Sequence, residues 1–98
     1  MENHFTLVAK LHRIDVLRYT PAGVAVLELV LQHESIQVEN GLPCKVVFEL
    51  PAKIIGQAAT IWQHKQGLMV CVKGFLAQKN QKTLRPMLRI QEIQEYKG

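Results

Sequence analysis

The stretch from Gly67 to Arg89, GLMVCVKGFLAQKNQKTLRPMLR, constrains the chain more than any other. It opens with an apolar, β-branched run (Met69, Val70, Cys71, Val72), bends at Gly74, and continues through Phe75 and Leu76. A polar, cation-bearing tip, QKNQKT, follows. An apolar run then returns from Leu84 to Ile93 with Met87, Leu88, Ile90 and Ile93. Two strand-like runs around a polar turn predict a β-hairpin with a long tip. The charge on it has one sign: Lys73, Lys79, Lys82, Arg85 and Arg89, with no Asp or Glu among them. Such a hairpin suits contact with a polyanion.

The rest of the chain sharpens that asymmetry. Residues 1–49 hold four Lys/Arg against six Asp/Glu, whereas between Glu49 and Glu92 there are seven cations and no acid. A charge distribution of this kind focuses positive potential on one side of a small domain and raises encounter rates with polyanions. Nucleic acid fits it best; a solvated basic face and an anionic membrane surface are the alternatives. With 98 residues, 48% of them hydrophobic and 20% charged, the chain is expected to form one domain, residues 1–98, around a single core.

Period-two alternation marks the strands. Phe5 to Ile14 places Phe5, Leu7, Ala9 and Leu11 on one face. After a turn at Tyr19-Thr20-Pro21-Ala22-Gly23, Val24 to His33 aligns Ala25, Leu27, Leu29 and Leu31. Glu34 to Pro43 is polar with a Gly-Leu-Pro break and reads as a loop. Cys44 to Leu50 is the third strand, with Phe48 facing in, and Pro51 ends it. From Ala52 to Gln66 the apolar positions Ile54, Ile55, Ala58, Ala59, Ile61 and Trp62 recur at helical spacing, which predicts a short helix loosened by Gly56. The hairpin supplies strands four and five, with Phe75 facing in.

Three strands, a helix and two strands is the layout of an all-β, five-stranded OB-fold barrel, with the helix between strands three and four. Other small barrels share the composition. An OB-fold binds oligonucleotides on the faces of its second and third strands and on the loops joining strands 1–2 and 4–5. Those loops are Asp15–Gly23, with Arg18 and Tyr19, and Ala77–Arg85, with Lys79, Lys82 and Arg85. Arg89 and Lys73 on the hairpin strands, and Lys10, Arg13 and Lys45 elsewhere, are further candidate nucleic-acid contacts. Tyr19 is the candidate stacking residue, and Trp62 is read as packing.

Other chemistries lack a constellation. The four histidines are scattered with no cysteine or carboxylate at ligand spacing, so neither metal nor other cofactor is expected. No nucleophile elbow, phosphate loop or paired motif carboxylates are present, so no enzyme is expected. Cys44 and Cys71 are expected to be buried free thiols. With no apolar run long enough to span a membrane and no secretory leader, a cytoplasmic protein is expected.

The series Asn3…Leu7, Thr20-Pro21-x-Gly23, Leu29-Val30-Leu31-x-His33 and Val72-x-Gly74-Phe75 resembles the bacterial single-stranded DNA-binding proteins, most closely their small primosomal relatives. The resemblance implies an OB-fold homodimer that binds single-stranded DNA without sequence preference. It also implies a role in replication restart, in which the protein joins and stimulates the primosomal helicase PriA and helps to recruit a further primosome component. Carried over to this chain, the family's DNA contacts fall on Lys79, Lys82 and Arg85, near Arg18, and on the outward face of strands two and three. Some relatives carry aromatic rings where this chain has Leu42 and Val47. Base–aromatic stacking contributes roughly 1–3 kcal/mol per base, so their loss implies weaker binding. The alternative is a protein–protein adaptor of the primosome that binds DNA only weakly. RNA binding in the cold-shock style is disfavoured by the 6% aromatic content.

Overall fold

In a computed structural model, which describes residues 1–98, the chain forms β1 (Phe5–Ile14), β2 (Arg18–Tyr19), β3 (Ala25–Glu39), β4 (Leu42–Ile55), α1 (Gln57–Trp62), β5 (Met69–Asn80) and β6 (Thr83–Glu95). The five long strands close a ring in the order β1-β5-β6-β4-β3 and back to β1, and the two-residue β2 adds to β3. Every pairing is antiparallel except β4–β6, which runs parallel at Ala52↔Leu88, Lys53↔Arg89 and Ile54↔Ile90. Strand β1 closes the ring by serving two neighbours: Phe5–Lys10 pairs with β5 and Lys10–Ile14 with β3. A register shift between Leu11 and Arg13 supplies the bend that this division requires. The architecture is the five-stranded OB-fold barrel with its short helix between β4 and β5.

The alternating residues fill the barrel. Ala9, Leu11, Ala25, Leu27, Leu29, Leu31, Ala52, Ile54, Val70, Val72, Leu88 and Ile90 form one buried cluster, joined by Ala59 and Trp62 from the helix. Burial of each large aliphatic side chain contributes about 1.5–3 kcal/mol. Trp62 is therefore packing, as its position predicts, and Lys65 sets its ammonium 4.8 Å from the ring.

The hairpin β3–β4 departs from the sequence reading. Glu34–Pro43 is not a loop: the ladder runs unbroken from Val26↔Ile55 to Glu39↔Leu42. Asn40 (φ 53°) and Gly41 (φ 77°) make a two-residue turn, the positive-φ type whose twist matches that of the strands it joins. The segment looks polar because the ribbon has outrun the barrel and no core lies beneath it. Pro51 does not end the strand either. It pairs with Val30 one residue before β6 joins β4, at an edge where a missing N–H is tolerated. Ala52–Ile55 thus continues β4, and the helix shrinks to Gln57–Trp62.

Neither expected core phenylalanine is in the core. Phe48 lies beyond the barrel and stacks on His33 at a ring separation of 4.9 Å. His33 places Nδ1 2.7 Å from the Val8 carbonyl and Nε2 2.7 Å from the Ser35 hydroxyl. A carbonyl only accepts, so in the neutral ring Nδ1–H donates and Nε2 accepts. The imidazole thereby ties β1 to β3 where their ladder has opened. Phe75 pairs with Arg89 across β5–β6 and faces outward. Cys44 is exposed and Cys71 half-buried, where burial of both is expected.

Gly74 explains the bend in the β5–β6 hairpin. Lys73 pairs with Glu92 and Gly74 with Ile90, so Gln91 is an extra residue bulged out of β6. A Cβ at Gly74 would overlap the Arg89 carbonyl. Only glycine lets the two backbones approach so closely.

Candidate nucleic-acid interface

The cationic hairpin tip is tighter than the sequence suggests. Ala77–Arg85 is not a loop, because β5 runs to Asn80 and β6 restarts at Thr83. The Asn80 side-chain oxygen accepts hydrogen bonds from the backbone N–H groups of Lys82 (2.8 Å) and Thr83 (3.0 Å), an Asx turn that fixes the reversal locally. Lys79 and Arg85 are therefore strand residues and Lys82 belongs to the turn. All three are exposed, and none has a carboxylate within ion-pair distance.

Below the tip, the register arranges outward side chains in rows across the barrel wall. One row runs Glu28↔Lys53↔Arg89↔Phe75 over β3, β4, β6 and β5. Two residues along each strand, Arg13↔Val30↔Pro51 on β1, β3 and β4 continues in the same face as Met87↔Ala77 on β6 and β5. Met87 is only 2% exposed although it lies outside the core cluster, so its outward neighbours shield it. The wall is thus an apolar saddle (Val30, Pro51, Met87, Ala77) edged by Arg13, Lys53, Arg85 and Arg89. Two carboxylates nearby are already engaged: Glu28 with Arg18 at 3.0 Å and Glu49 with His12 at 3.5 Å.

The structure brings some of the expected residues together and separates others. Lys79, Lys82, Arg85 and Arg89 follow one another along the β5–β6 hairpin, and Arg13 joins the same wall. Arg18 is held by Glu28, which offsets its charge. Tyr19, beside it on β2, is 61% exposed. Lys73 stands opposite Glu92 near α1, six residues or roughly 20 Å of strand from Lys79. Lys45 lies on the β3–β4 ribbon opposite Ile36. Lys10 pairs with Gln32 at the start of the β1–β3 ladder.

Three residues of the wall, Lys53, Phe75 and Met87, are missing from the sequence-based set. The helical spacing after Pro51 takes in Lys53, yet Leu50, Ala52 and Ile54 continue the period-two alternation past Pro51 and put Lys53 on the outward face. Phe75 faces outward by the same period-two count along β5 from Val70 and Val72, a signal present in the sequence.

A family model described as "another single-strand binding protein family" matches residues 3–92. The replication restart protein PriB of Neisseria meningitidis serogroup B is 54% identical over 96 residues, 98% of this chain and 96% of that protein. That of Bordetella pertussis is 33% identical over 97 residues, 98% of this chain and 91% of that protein. Among solved structures, the PriB protein of Ralstonia solanacearum superposes with a TM-score of 0.86 at 28% identity, covering 98% of this chain and 100% of that one. The wild-type single-stranded DNA binding protein of Thermus aquaticus gives 0.76 at 27% identity, covering 99% of this chain and 51% of that one. The closed barrel, the match along nearly the whole chain and the identity to these relatives together place the chain in the replication restart protein PriB family.

Proposed function

We propose that the whole chain, residues 1–98, acts as one module that binds single-stranded DNA without sequence preference in replication restart. One observation carries the reading: the β5–β6 tip and the wall beneath it present Lys79, Lys82, Arg85, Arg89 and Arg13 with no carboxylate partner. Each phosphate so neutralised releases counterions, which makes affinity salt-dependent whatever the base sequence. The relatives are named as replication restart proteins, which supports the role in restart. In the same proposal the chain acts in the cytoplasm as a homodimer that joins and stimulates PriA and recruits a further primosome component. The protein then serves as a binding accessory and performs no chemistry of its own.

Fluorescence anisotropy of a labelled 35-nucleotide single strand, titrated at three salt concentrations, tests this. The expected log–log salt slope is about −2 to −4, for three to five phosphates neutralised on a single strand. Absence of binding at low salt would sink the proposal.

A second reading is favoured by the β3–β4 ribbon. Ile36 (74% exposed), Val38 (76%) and Val47 (54%) share its outward face, and Leu42 (67%) sits at its tip. Exposed apolar side chains grouped in this way suit a protein partner, so the chain acts as a protein–protein adaptor with DNA binding secondary. In this reading Val47→Glu weakens capture of PriA or self-association at least tenfold and changes DNA affinity less than twofold. Unchanged association, measured by sedimentation and by pull-down with purified PriA, would count against it.

A further inference from the structure

We infer that Lys53, Arg89 and Phe75 form a nucleotide subsite on the barrel wall, in which the two cations take a backbone phosphate and the phenylalanine ring takes the adjacent base. The inference rests on the single-strand reading above and deepens it. It extends the DNA path from the hairpin tip across the wall, and it places a base platform away from positions 42 and 47.

The register sets the geometry. Lys53 pairs with Arg89 on the neighbouring strand, and Arg89 pairs with Phe75 on the next. Adjacent strands are about 4.8 Å apart, so the three side chains leave one face within reach of a single nucleotide. The inward residues around them (Ala52, Ile54, Leu88, Ile90) are in the core, which fixes the outward direction of all three.

The charges are unbalanced without a ligand. Like charges on adjacent paired positions are unfavourable by themselves. Glu28, the only acid in the row, is engaged by Arg18 at 3.0 Å. Neither Lys53 nor Arg89 has an ion-pair partner, and the Arg89 Nε is buried with no hydrogen bond. A phosphate has the charge to relieve the repulsion and the oxygens to satisfy a guanidinium fork.

The ring is set for a base. Phe75 is half-buried, lies outside the core cluster, and has only the short Ala77 as its next outward neighbour towards the hairpin tip. The apolar saddle of Val30, Pro51 and Met87 continues beside it. Every base has a π-face, so a ring of this kind binds bases without sequence preference. Along β6, Arg85 and Arg89 lie on one face about 14 Å apart, so a strand gripped at the tip is led to the subsite.

The test uses the full chain and a 35-mer of thymidine, beside an abasic 35-mer with the same phosphates. Lys53→Gln and Arg89→Gln are each expected to lower the salt slope by about 0.7 on both oligonucleotides. Phe75→Leu is expected to weaken thymidine binding roughly five- to tenfold and leave abasic binding unchanged. Because Phe75→Leu also touches packing, the wild-type chain is crosslinked in parallel to a 5-iodouracil-substituted strand. The adduct is expected on the tryptic peptide Gly74–Lys79. If the wild type binds, tip variants weaken it, and these three variants change nothing, the subsite is wrong while the single-strand reading stands. Adducts confined to other peptides overturn the subsite in the same way. A wild type that binds no single strand overturns both.

Discussion

The two hairpins of the barrel are alike in construction and opposite in surface. Both β3–β4 and β5–β6 are long antiparallel ribbons, and both reverse in two residues. The first turns on Asn40-Gly41 with positive φ; the second turns on Gln81-Lys82 with the Asn80 side chain holding the reversal. Over residues 34–47 the first carries Glu34, Glu39 and Lys45 and exposes Ile36, Val38, Leu42 and Val47. Over residues 77–85 the second carries Lys79, Lys82 and Arg85 and no acid. Ribbon geometry gives reach to both, while side chains choose the partner. Phosphate suits the second ribbon and an apolar protein surface suits the first.

The largest effect expected from breaking this comparison comes from the backbone that shapes the cationic hairpin. Gly74→Val drives a side chain into the Arg89 carbonyl and is expected to destabilise the protein by about 3 kcal/mol, read as a loss of denaturation midpoint at unchanged slope. No glycine of the β3–β4 ladder is so confined, since a Cβ at Gly41 meets nothing within 4 Å. A Gly74→Val protein as stable as the wild type would mean that the two ribbons are not distinguished by this pinch.

Charge reversal of the tip comes next. Lys79→Glu, Lys82→Glu and Arg85→Glu together are expected to weaken single-strand binding on the order of a hundredfold and to lower the salt slope by about 2. The melting transition is expected to stay within a few degrees, because all three side chains are exposed. Unchanged affinity by anisotropy removes the tip from the binding surface.

The smallest effect sharpens the contrast from the other side. Ile36→Lys with Val38→Lys gives the β3–β4 ribbon the chemistry of its counterpart without altering its backbone. Single-strand affinity is expected to rise about tenfold with a steeper salt slope, since each new phosphate contact adds roughly 0.7 to it. An unchanged affinity would show that position on the barrel, beyond charge, decides where the strand runs.

Much of the fold is legible in the sequence. Ala25, Leu27, Leu29 and Leu31 alternate cleanly because one face of their strand meets the core and the other meets water, and all four are buried as read. Legibility fails where that asymmetry ends. Glu34–Pro43 has no core beneath it, so its strand signal is reduced to the short alternation of Ile36 and Val38 and the Asn40-Gly41 turn. Ala52–Ile55 reads as helix from the sequence because Pro51 is a strand breaker and the apolar residues after it satisfy both periods. On the candidate site, the cations of the hairpin are visible as a run without acids. The pairing of Arg18 with Glu28, ten residues away, is not visible.

By itself the sequence determined the order of the five long strands though not their extent, the split of charge between the two halves, and the hairpin tip where cations gather, since these depend on local periodicity and composition. The tertiary structure decided which cations stand together. Lys53 and Arg89 are 36 residues apart in the chain and meet only through the parallel β4–β6 pairing. Phe75 faces outward by the alternation of β5 from the buried Val70 and Val72, and it stands opposite Arg89 only because Gln91 bulges from β6 and resets that strand's register. A strand's side-chain period is two, so one extra residue moves every following side chain to the other face.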